Sequence, residues 1–281
     1  MSKIALGTVQ FGIDYGLTNL SGQVSIDEVR NILTFAKNNG IDTLDTASGY
    51  GISEQVLGRC GVNSYQIITK TVSLESSVDK VIDGFYKSLE NLGQKQVEGL
   101  LVHDINNIEN KQFDILFSKL NELKQQGLIK KIGFSTYTPE QINFLLANFD
   151  FDLIQVPFNV FDNRLIQSGH LQELNNKGIE VHARSIFLQG ILLDFNNLSN
   201  YFSTWKEEFN IYQKVVKNSG LSLLEYALNF VLSTKGIDKA LVGVNHTRQL
   251  EEIIQSVKRQ SHLDAYPIND VNLLNPGLWK V

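Results

Sequence analysis

Short apolar segments alternate with longer amphipathic segments along the whole chain, and this alternation restricts the fold more than any other feature. Eight segments have the length and apolar content of buried strands. They lie near Ile4–Leu6, Ile41–Leu44, Ile67–Thr69, Gly99–Val102, Lys131–Phe134, Leu153–Gln155, Ile179–Ala183 and Ala240–Val242. Strands separated by helical segments predict a parallel sheet with crossover helices, and eight such strands can close into a barrel.

Helical periodicity fills the spaces between the strand candidates. The segment 26–36 follows a capping-box pair, Ser25 and Glu28, and ends near Gly40. Similar periodicity over 78–89 and 113–123 predicts two more helices, and Thr138–Gln141 starts another. An extra helix is predicted over Leu223–Leu232, after a long connection at 188–201. We therefore predict one α/β domain over residues 1–281, a single (β/α)8 TIM barrel with loop and helix decorations towards the carboxyl end.

Composition excludes several classes of function. The 25 basic and 30 acidic residues give a net charge of -5, which offers no general attraction to nucleic acid or anionic membranes. Cys60 is the only cysteine, so we expect it to pack as a small residue rather than to form a disulfide or bind a metal. The segment Met1–Ile4 leads into a strand without a signal-type region, and no later segment is apolar enough to span a bilayer. We expect a cytoplasmic protein, and the sequence does not predict its oligomeric state.

Polar residues stand at the ends of the predicted strands, where barrel active sites are built. There are six of them: Asp45, Lys70, His103, Ser135, Gln155 and Arg184. Any one of them has a structural alternative, because such residues often cap helices or pair with one another. Six polar residues at the same rim favour a functional site over these structural roles.

One segment carries a recognisable signature. Gly40–Gly51, GIDTLDTASGYG, resembles the signature of the aldo-keto reductase superfamily, in which a strand-end Asp precedes the catalytic Tyr by five residues. The resemblance covers nearly the whole chain, continuing through Glu54 and the segments 57–58, 68–70, 100–103, 127–135 and 155–159. It implies an NAD(P)H-dependent oxidoreductase that reduces an aldehyde or ketone, such as a polar, sugar-like carbonyl, to an alcohol.

The resemblance also assigns roles to four residues. Tyr50 is the general acid that protonates the carbonyl oxygen. A free phenol loses its proton only near pH ~10, so a cation, Lys70, is needed to stabilise its anion. Asp45 holds Lys70, and His103 orients the carbonyl by a hydrogen bond. Relatives that reduce carbon–carbon double bonds have Glu at the position of His103, so this histidine indicates a carbonyl or alcohol substrate.

A dinucleotide cofactor has to bind without a Rossmann-type glycine motif, because none follows a strand here. The resemblance implies that Ser135 and Gln155 hold the nicotinamide amide, while the turn at Gly7–Thr8 lets the backbone approach. Arg184 stands where an aromatic ring usually stacks on the nicotinamide. Its planar guanidinium is able to stack on the ring and so to favour an anionic substrate or alter the energetics of hydride transfer, or to point elsewhere and pair with an acidic neighbour. The sequence does not choose among these.

The adenosine end is predicted near the last strand. Gly243 precedes a helix start, and helix amino termini attract phosphate. The resemblance implies that Gln249 and Glu252 face the adenosine, and Arg248 would bind a 2′-phosphate unless it is a solvated helix charge. The predicted cofactor is therefore NADPH, with NADH as the alternative.

Two further departures from the family pattern concern the pocket and the second helix. Thr136 and Asp104–Ile105 replace residues that are commonly Asn and Trp-Pro, which predicts a more polar pocket. The short spacing from Tyr50 to Lys70 predicts a small second helix. Four aromatic residues either line the pocket or pack in the core: Phe11, Tyr15, Phe187 and Trp279.

Other functions compete with a carbonyl reductase. A cofactor-binding regulatory subunit with little turnover is the main alternative, because an intact set of catalytic residues does not exclude it. An aldolase with Lys70 as a Schiff-base nucleophile would leave Tyr50 and His103 unexplained. No metal is expected, because the spacing of four histidines does not match a ligand motif: His170, His182, His246 and His262.

Overall fold

Eight parallel strands form a closed barrel in chain order in the computed structural model, which describes residues 2–17, 19, 21–75, 77–257 and 263–280. The strands are β1 (Ile4–Gly7), β2 (Thr43–Asp45), β3 (Gln66–Lys70), β4 (Val97–Val102), β5 (Ile129–Ser135), β6 (Leu153–Pro157), β7 (Glu180–Arg184) and β8 (Lys239–Gly243). Pairing of β8 with β1 closes the sheet and places Gly243 opposite Gly7. The predicted barrel is confirmed.

Helices connect most of the strands on the outside of the barrel. Those of the described ranges are α1 (Val9–Gly12), α2 (Ile26–Asn38), α3 (Ser53–Cys60), α4 (Val78–Leu92), α5 (Phe113–Gln125), α6 (Pro139–Asn148), α7 (Arg164–Gln167), α8 (His170–Asn176), α9 (Lys206–Ser219), α10 (Leu223–Ser233), α11 (Thr247–Gln255) and α12 (Val271–Leu274). Short 3-10 helices cover Ile105–Glu109, Leu188–Leu193, Asn200–Trp205 and Pro276–Leu278. The small second helix, α3, and the extra helix, α10, are as predicted. Within the described ranges, no helix combines the length and apolar character needed to cross a bilayer.

Two local differences from the sequence prediction have clear causes. The second strand begins at Thr43 rather than Ile41, because the Ile41 amide still bonds to the Ala36 carbonyl after the left-handed turn at Gly40. At the start of α2, Ser25 accepts from the Glu28 amide, but the Glu28 carboxylate turns away to another helix. The predicted capping box is therefore only half formed, whereas both halves form at the start of α6.

The core has an inner and an outer part. Inside the barrel, Ile68, Leu101 and Leu153 form a small buried cluster of their own. A much larger cluster lies between the strands and the surrounding helices. This packing holds the strand ends in a fixed frame, and the carboxyl-end rim is left open for polar side chains.

Candidate active site

The strand-end residues predicted from the sequence do come together at the carboxyl-end rim. Asp45, Ser135 and Gln155 are buried there, while His103 and Arg184 are partly exposed. These five and Tyr50 line one cavity, and Lys70 lies behind it, fully covered, in contact with Asp45 and Tyr50. The barrel therefore brings residues that are up to 139 positions apart in the sequence into one site.

Lys70 is the centre of the hydrogen bonding in this site. Its Nζ donates to Asp45 Oδ2 at 2.6 Å, to the Thr46 carbonyl at 3.0 Å and to the Tyr50 hydroxyl at 3.2 Å. The other Asp45 oxygen accepts from Gln155 Nε2 at 2.7 Å. An ammonium carries three protons, so these three contacts use all of its donors.

The charge state of Lys70 follows from these contacts. Burial alone would lower its pKa, but the Asp45 carboxylate and the Tyr50 phenol outweigh burial and hold the pKa above its ordinary value. A Schiff-base lysine must be neutral and reachable, and Lys70 is neither. The geometry therefore counts against the aldolase alternative.

His103 faces Tyr50 across the cavity floor. The two rings meet edge to face, with centroids 5.8 Å apart. Burial, helped by the charge of Lys70, lowers the pKa of His103 to about 4. The imidazole is therefore neutral near pH 7, with one N–H donor and one acceptor nitrogen.

A second group of residues, not predicted from the sequence, positions Tyr50. Ser53 Oγ donates to the Thr8 carbonyl at 2.8 Å and lies 2.9 Å from the Thr8 hydroxyl, tying the end of β1 to the start of α3. A Cβ at Gly12 would collide with the Tyr50 carbonyl and with Ser53. The backbone of Tyr50 thus rests directly on α1, and only glycine permits that approach. No signal in a single sequence distinguishes this glycine from the other twenty.

The cavity has a volume of about 550 Å³, within the usual range for small-molecule sites. Of the cofactor contacts predicted from the sequence, those that line it are Gly7, Thr8, Ser135, Gln155, Arg184, Gly243, Gln249 and Glu252. Arg248 does not line it, because its side chain is 86% exposed on the surface of α11.

Aromatic and polar residues around the cavity are only partly as expected. Tyr15 and Phe187 line it, whereas Phe11 is wholly buried and Trp279 packs against Phe202. Asp104 does not line the cavity either; its carboxylate caps the following 3-10 helix by accepting from the Asn106 amide. Thr136 is also buried away from the cavity. The predicted contribution of Asp104 and Thr136 to pocket polarity is therefore wrong.

Two residues after α1, Tyr15 and Asn19, contact loops on different sides of the cavity. The Tyr15 hydroxyl accepts from Gln189 Nε2 at 3.2 Å, next to β7. Asn19 Oδ1 accepts from Asn245 Nδ2 at 2.7 Å, next to β8. The cavity lining extends from Tyr50 to Gln249 and Glu252 on α11, so the cavity is an elongated groove.

The groove towards α11 suits an elongated polar ligand. Two buried amide oxygens that line it have no hydrogen-bond partner within the described residues: Gln10 Oε1 and Asn245 Oδ1. The side chain of Gln10 lies where a Cβ at Gly243 would be, so a larger residue at position 243 would displace Gln10. Buried oxygens without a donor are costly unless a ligand or water supplies one. These acceptor oxygens and the elongated shape fit a nicotinamide dinucleotide, whose amide and ribose groups provide donors.

The start of α11 differs from the prediction of a free phosphate-binding helix end. Its Thr247 amide and hydroxyl both donate to Glu28 Oε1, at 2.6 and 2.8 Å. This backbone hydrogen bond is the main reason why the pKa of Glu28 is lowered. Arg248 Nε donates to Glu252 Oε1 at 3.1 Å in an exposed pair. Two carboxylates and one cation therefore stand at this end of the groove.

Metal binding has no support in the described part of the chain, where no three His, Cys, Asp or Glu side chains come together as a ligand set. His170 bonds to Ser168 and Asn143, and His182 bonds to Glu180. His262 lies outside the described residues. That the protein needs no metal stays a prediction.

Comparison with known proteins agrees with this geometry. The model of the Aldo/keto reductase family matches residues 3–275. The uncharacterized oxidoreductase YqkF of Bacillus subtilis is 27% identical over 91% of this chain and 91% of its own length. L-Galactose dehydrogenase of Arabidopsis thaliana is 25% identical over 90% of this chain and 85% of its own. The holo form of an aldo-keto reductase from Bacillus halodurans shares the fold, with a TM-score of 0.76 and 20% identity, over 93% of this chain and 88% of its own. The chain belongs to the aldo/keto reductase family of oxidoreductases.

Proposed function

We propose that this protein reduces an aldehyde or ketone to an alcohol with NAD(P)H, in the cytoplasm, and that Tyr50 is the general acid. The observation that carries the proposal is the placement of Lys70 Nζ, 2.6 Å from Asp45 and 3.2 Å from the Tyr50 hydroxyl, at the floor of a groove. Packing of the barrel does not require a buried ammonium beside a phenol, because a simpler contact would serve the same structural purpose. It does favour the phenolate that proton donation leaves behind.

Each residue of the site has a distinct part in this reaction. Tyr50 donates its hydroxyl proton to the carbonyl oxygen, and Lys70 stabilises the resulting phenolate. Asp45 holds the Lys70 ammonium in place and balances its charge inside the barrel. Neutral His103 donates a hydrogen bond from its single N–H to the carbonyl oxygen, which orients the substrate. The bound cofactor supplies the hydride.

The cofactor would occupy the groove from the catalytic residues to α11. Ser135 and Gln155 would hold the nicotinamide amide, with Arg184 beside the ring and Gly7, Thr8 and Gly243 providing close backbone approach. Gln249 and Glu252 would face the adenosine. The side-chain oxygen of Gln155 would accept the hydrogen bond from the nicotinamide amide, because its side-chain nitrogen already donates to Asp45.

We propose NADPH as the preferred cofactor and NADH as an accepted one. Arg248 is the cation that a 2′-phosphate requires, and its exposed pair with Glu252 opens at little cost. Glu28 and Glu252 place two carboxylates nearby, however, and these oppose a further negative charge. We therefore expect a preference for NADPH of less than about tenfold.

The substrate class is proposed from the groove and the relatives. Hydroxyl and amide groups line much of the groove, which suits a polar carbonyl compound such as a sugar. The Arabidopsis relative is named for its action on the sugar L-galactose. A small-molecule carbonyl compound is thus the proposed partner.

The test is a substrate panel of aldehydes, ketones and sugars with the purified protein, following NADPH or NADH absorbance, and of the corresponding alcohols with NADP+ or NAD+. We expect turnover of at least one polar carbonyl compound. Absence of turnover across the panel, with the cofactor shown to bind by fluorescence titration, would favour a cofactor-binding regulatory subunit instead.

A further inference from the structure

Arg184 is a cation inside the groove at the end where the chemistry is proposed. It ends β7 and lines the cavity together with Tyr15, Tyr50 and His103. Its charge is close enough to influence the pKa of both His103 and Tyr15, lowering each in part. The guanidinium is therefore near the place that a substrate carbonyl would occupy.

The guanidinium is held in place but not neutralised. Its Nη2 donates to the Thr136 carbonyl at 3.1 Å and its Nη1 to Ser185 Oγ at 3.4 Å, while its central carbon lies 4.2 Å from the centre of the Tyr137 ring. In the described part of the chain, no carboxylate lies within ion-pair distance of it. The expectation that Arg184 pairs with an acidic neighbour therefore finds no partner there. A guanidinium has five N–H donors, so three remain after these two hydrogen bonds.

The other charged groups at the catalytic end of the cavity are paired or neutral. Lys70 and Asp45 form a buried pair of opposite charges. Burial lowers the pKa of His103 to about 4, so it is neutral near pH 7. Burial likewise raises the pKa of Tyr15, so its hydroxyl keeps its proton. Glu252, the remaining carboxylate of the lining, is paired with Arg248 on α11. The Asp104 charge also acts on His103, but this carboxylate caps its own helix outside the cavity lining. Among the described residues that line the catalytic end, Arg184 is therefore the charge without an opposite partner.

We propose that Arg184 binds a carboxylate of the substrate, so that the compounds reduced at Tyr50 are preferentially oxo acids. This inference rests on the proposed carbonyl reduction and narrows its substrate class. A guanidinium matches a carboxylate in shape and charge, and stacking on Tyr137 holds its plane ready before the substrate arrives. The Ser185 and Tyr15 hydroxyls are further donors to the same anion.

The test compares acids with their uncharged methyl esters, which differ in charge but not in the reacting carbonyl. The pairs are succinic semialdehyde with methyl 4-oxobutanoate, and 4-carboxybenzaldehyde with methyl 4-formylbenzoate. We expect kcat/KM of the wild-type protein to be about tenfold or more higher for each acid than for its ester. A charge-assisted hydrogen bond is worth about 10- to 100-fold, so Arg184→Gln should reduce kcat/KM for the acids by that factor. Most of the loss should be in KM. The readout is the ratio of kcat/KM for each acid to that for its ester, which should fall by the same factor, because any effect of the variant through the cofactor is common to both substrates.

Matched variants distinguish the loss of the positive charge at position 184 from the loss of a positive charge elsewhere on the protein. Arg59→Gln makes the same substitution on the exposed surface of α3 and should leave both classes of substrate unchanged. Arg184→Lys keeps the charge without the planar fork and should retain part of the preference for acids. Thermal unfolding of all three variants controls for their folding.

A binding measurement tests the proposal without turnover. Calorimetric titration of benzoate into the protein saturated with NADP+ should show binding that Arg184→Gln weakens about tenfold or more. Cofactor Kd is measured by fluorescence in parallel. Equal reduction of acids and esters by the wild-type protein would overturn the inference while leaving carbonyl reduction intact. So would absence of benzoate binding, or an Arg184→Gln effect confined to the cofactor Kd.

Discussion

Replacing Lys70 with methionine should destabilise the protein more than replacing both members of its ion pair. The side chains of Lys70 and Asp45 are 0% and 4% exposed, and Nζ lies 2.6 Å from Oδ2. Lys70→Met leaves the Asp45 carboxylate buried, with Gln155 Nε2 as its one remaining side-chain donor. Removing one partner of a buried pair costs about 3–5 kcal/mol, because the other charge stays uncompensated.

The double variant Asp45→Asn/Lys70→Met has no buried charge at this place. We expect it to be destabilised by about 1–2 kcal/mol, so the double-mutant cycle should give a coupling energy of at least about 2 kcal/mol. For a chain of this size each kcal/mol moves Tm by roughly 2 °C, so Tm of the single variant should fall by about 6–10 °C.

The assay is urea unfolding at pH 7 without cofactor, followed by circular dichroism and tryptophan fluorescence, with coincidence of the two curves as the check for a single transition. Asp45→Asn alone completes the cycle. A Lys70→Met variant within about 1 kcal/mol of the wild type would refute the reasoning, as would a double variant less stable than Lys70→Met.

Three further predictions concern other parts of the site. Gly12→Ala should lower kcat by about 100-fold with little change in circular dichroism, because its Cβ would displace the Tyr50 backbone; unchanged kcat would contradict this. An unfolded histidine has a pKa of ~6.5, whereas burial lowers the pKa of His103 to about 4, so the protein loses stability as pH falls through this window. His103→Gln should lack that loss and gain about 1–3 kcal/mol relative to the wild type between pH 7 and pH 4, measured by urea unfolding; parallel pH profiles would contradict it. Arg248→Gln should raise the Kd of NADPH about fivefold and leave that of NADH unchanged, while Glu252→Gln lowers the Kd of NADPH, by fluorescence titration. An equal effect on both cofactors would remove Arg248 from its proposed role.

The barrel and the positions of the proposed catalytic residues could be predicted from the sequence because both follow simple regularities. Buried parallel strands appear as apolar runs, and a polar residue at the end of such a run, such as Asp45 or Lys70, has to emerge at the rim. The spacing from Asp45 to Tyr50 matches the family signature, so it predicts the roles of these residues as well as their positions. For these residues, a position at the end of a strand is enough to predict that the side chain lies at the rim of the barrel.

Contacts between distant loops could not be predicted in the same way. Glu28 has the sequence position of a capping-box residue, yet its carboxylate bonds to Thr247 in α11, 219 residues away. Asp104 replaces a pocket residue of the family but caps its own helix instead. In each case a carboxylate has two alternative partners within reach, and tertiary packing decides between them.

The role of Arg184 could not be predicted from the sequence either. The sequence predicts that Arg184 lies at the rim, but the role of its guanidinium depends on the groups that surround it. The structure supplies the Tyr137 ring and the Thr136 carbonyl and, within the described residues, no carboxylate.

The measurement that tests the proposed chemistry most directly is steady-state turnover of Tyr50→Phe beside the wild type, on the best substrate from the panel. This substitution removes the hydroxyl that Lys70 contacts and keeps the ring against His103. We predict a fall in kcat of about 1000-fold, with cofactor Kd within about twofold of the wild-type value. Equal turnover of the two proteins would contradict the role of Tyr50 as the proton donor.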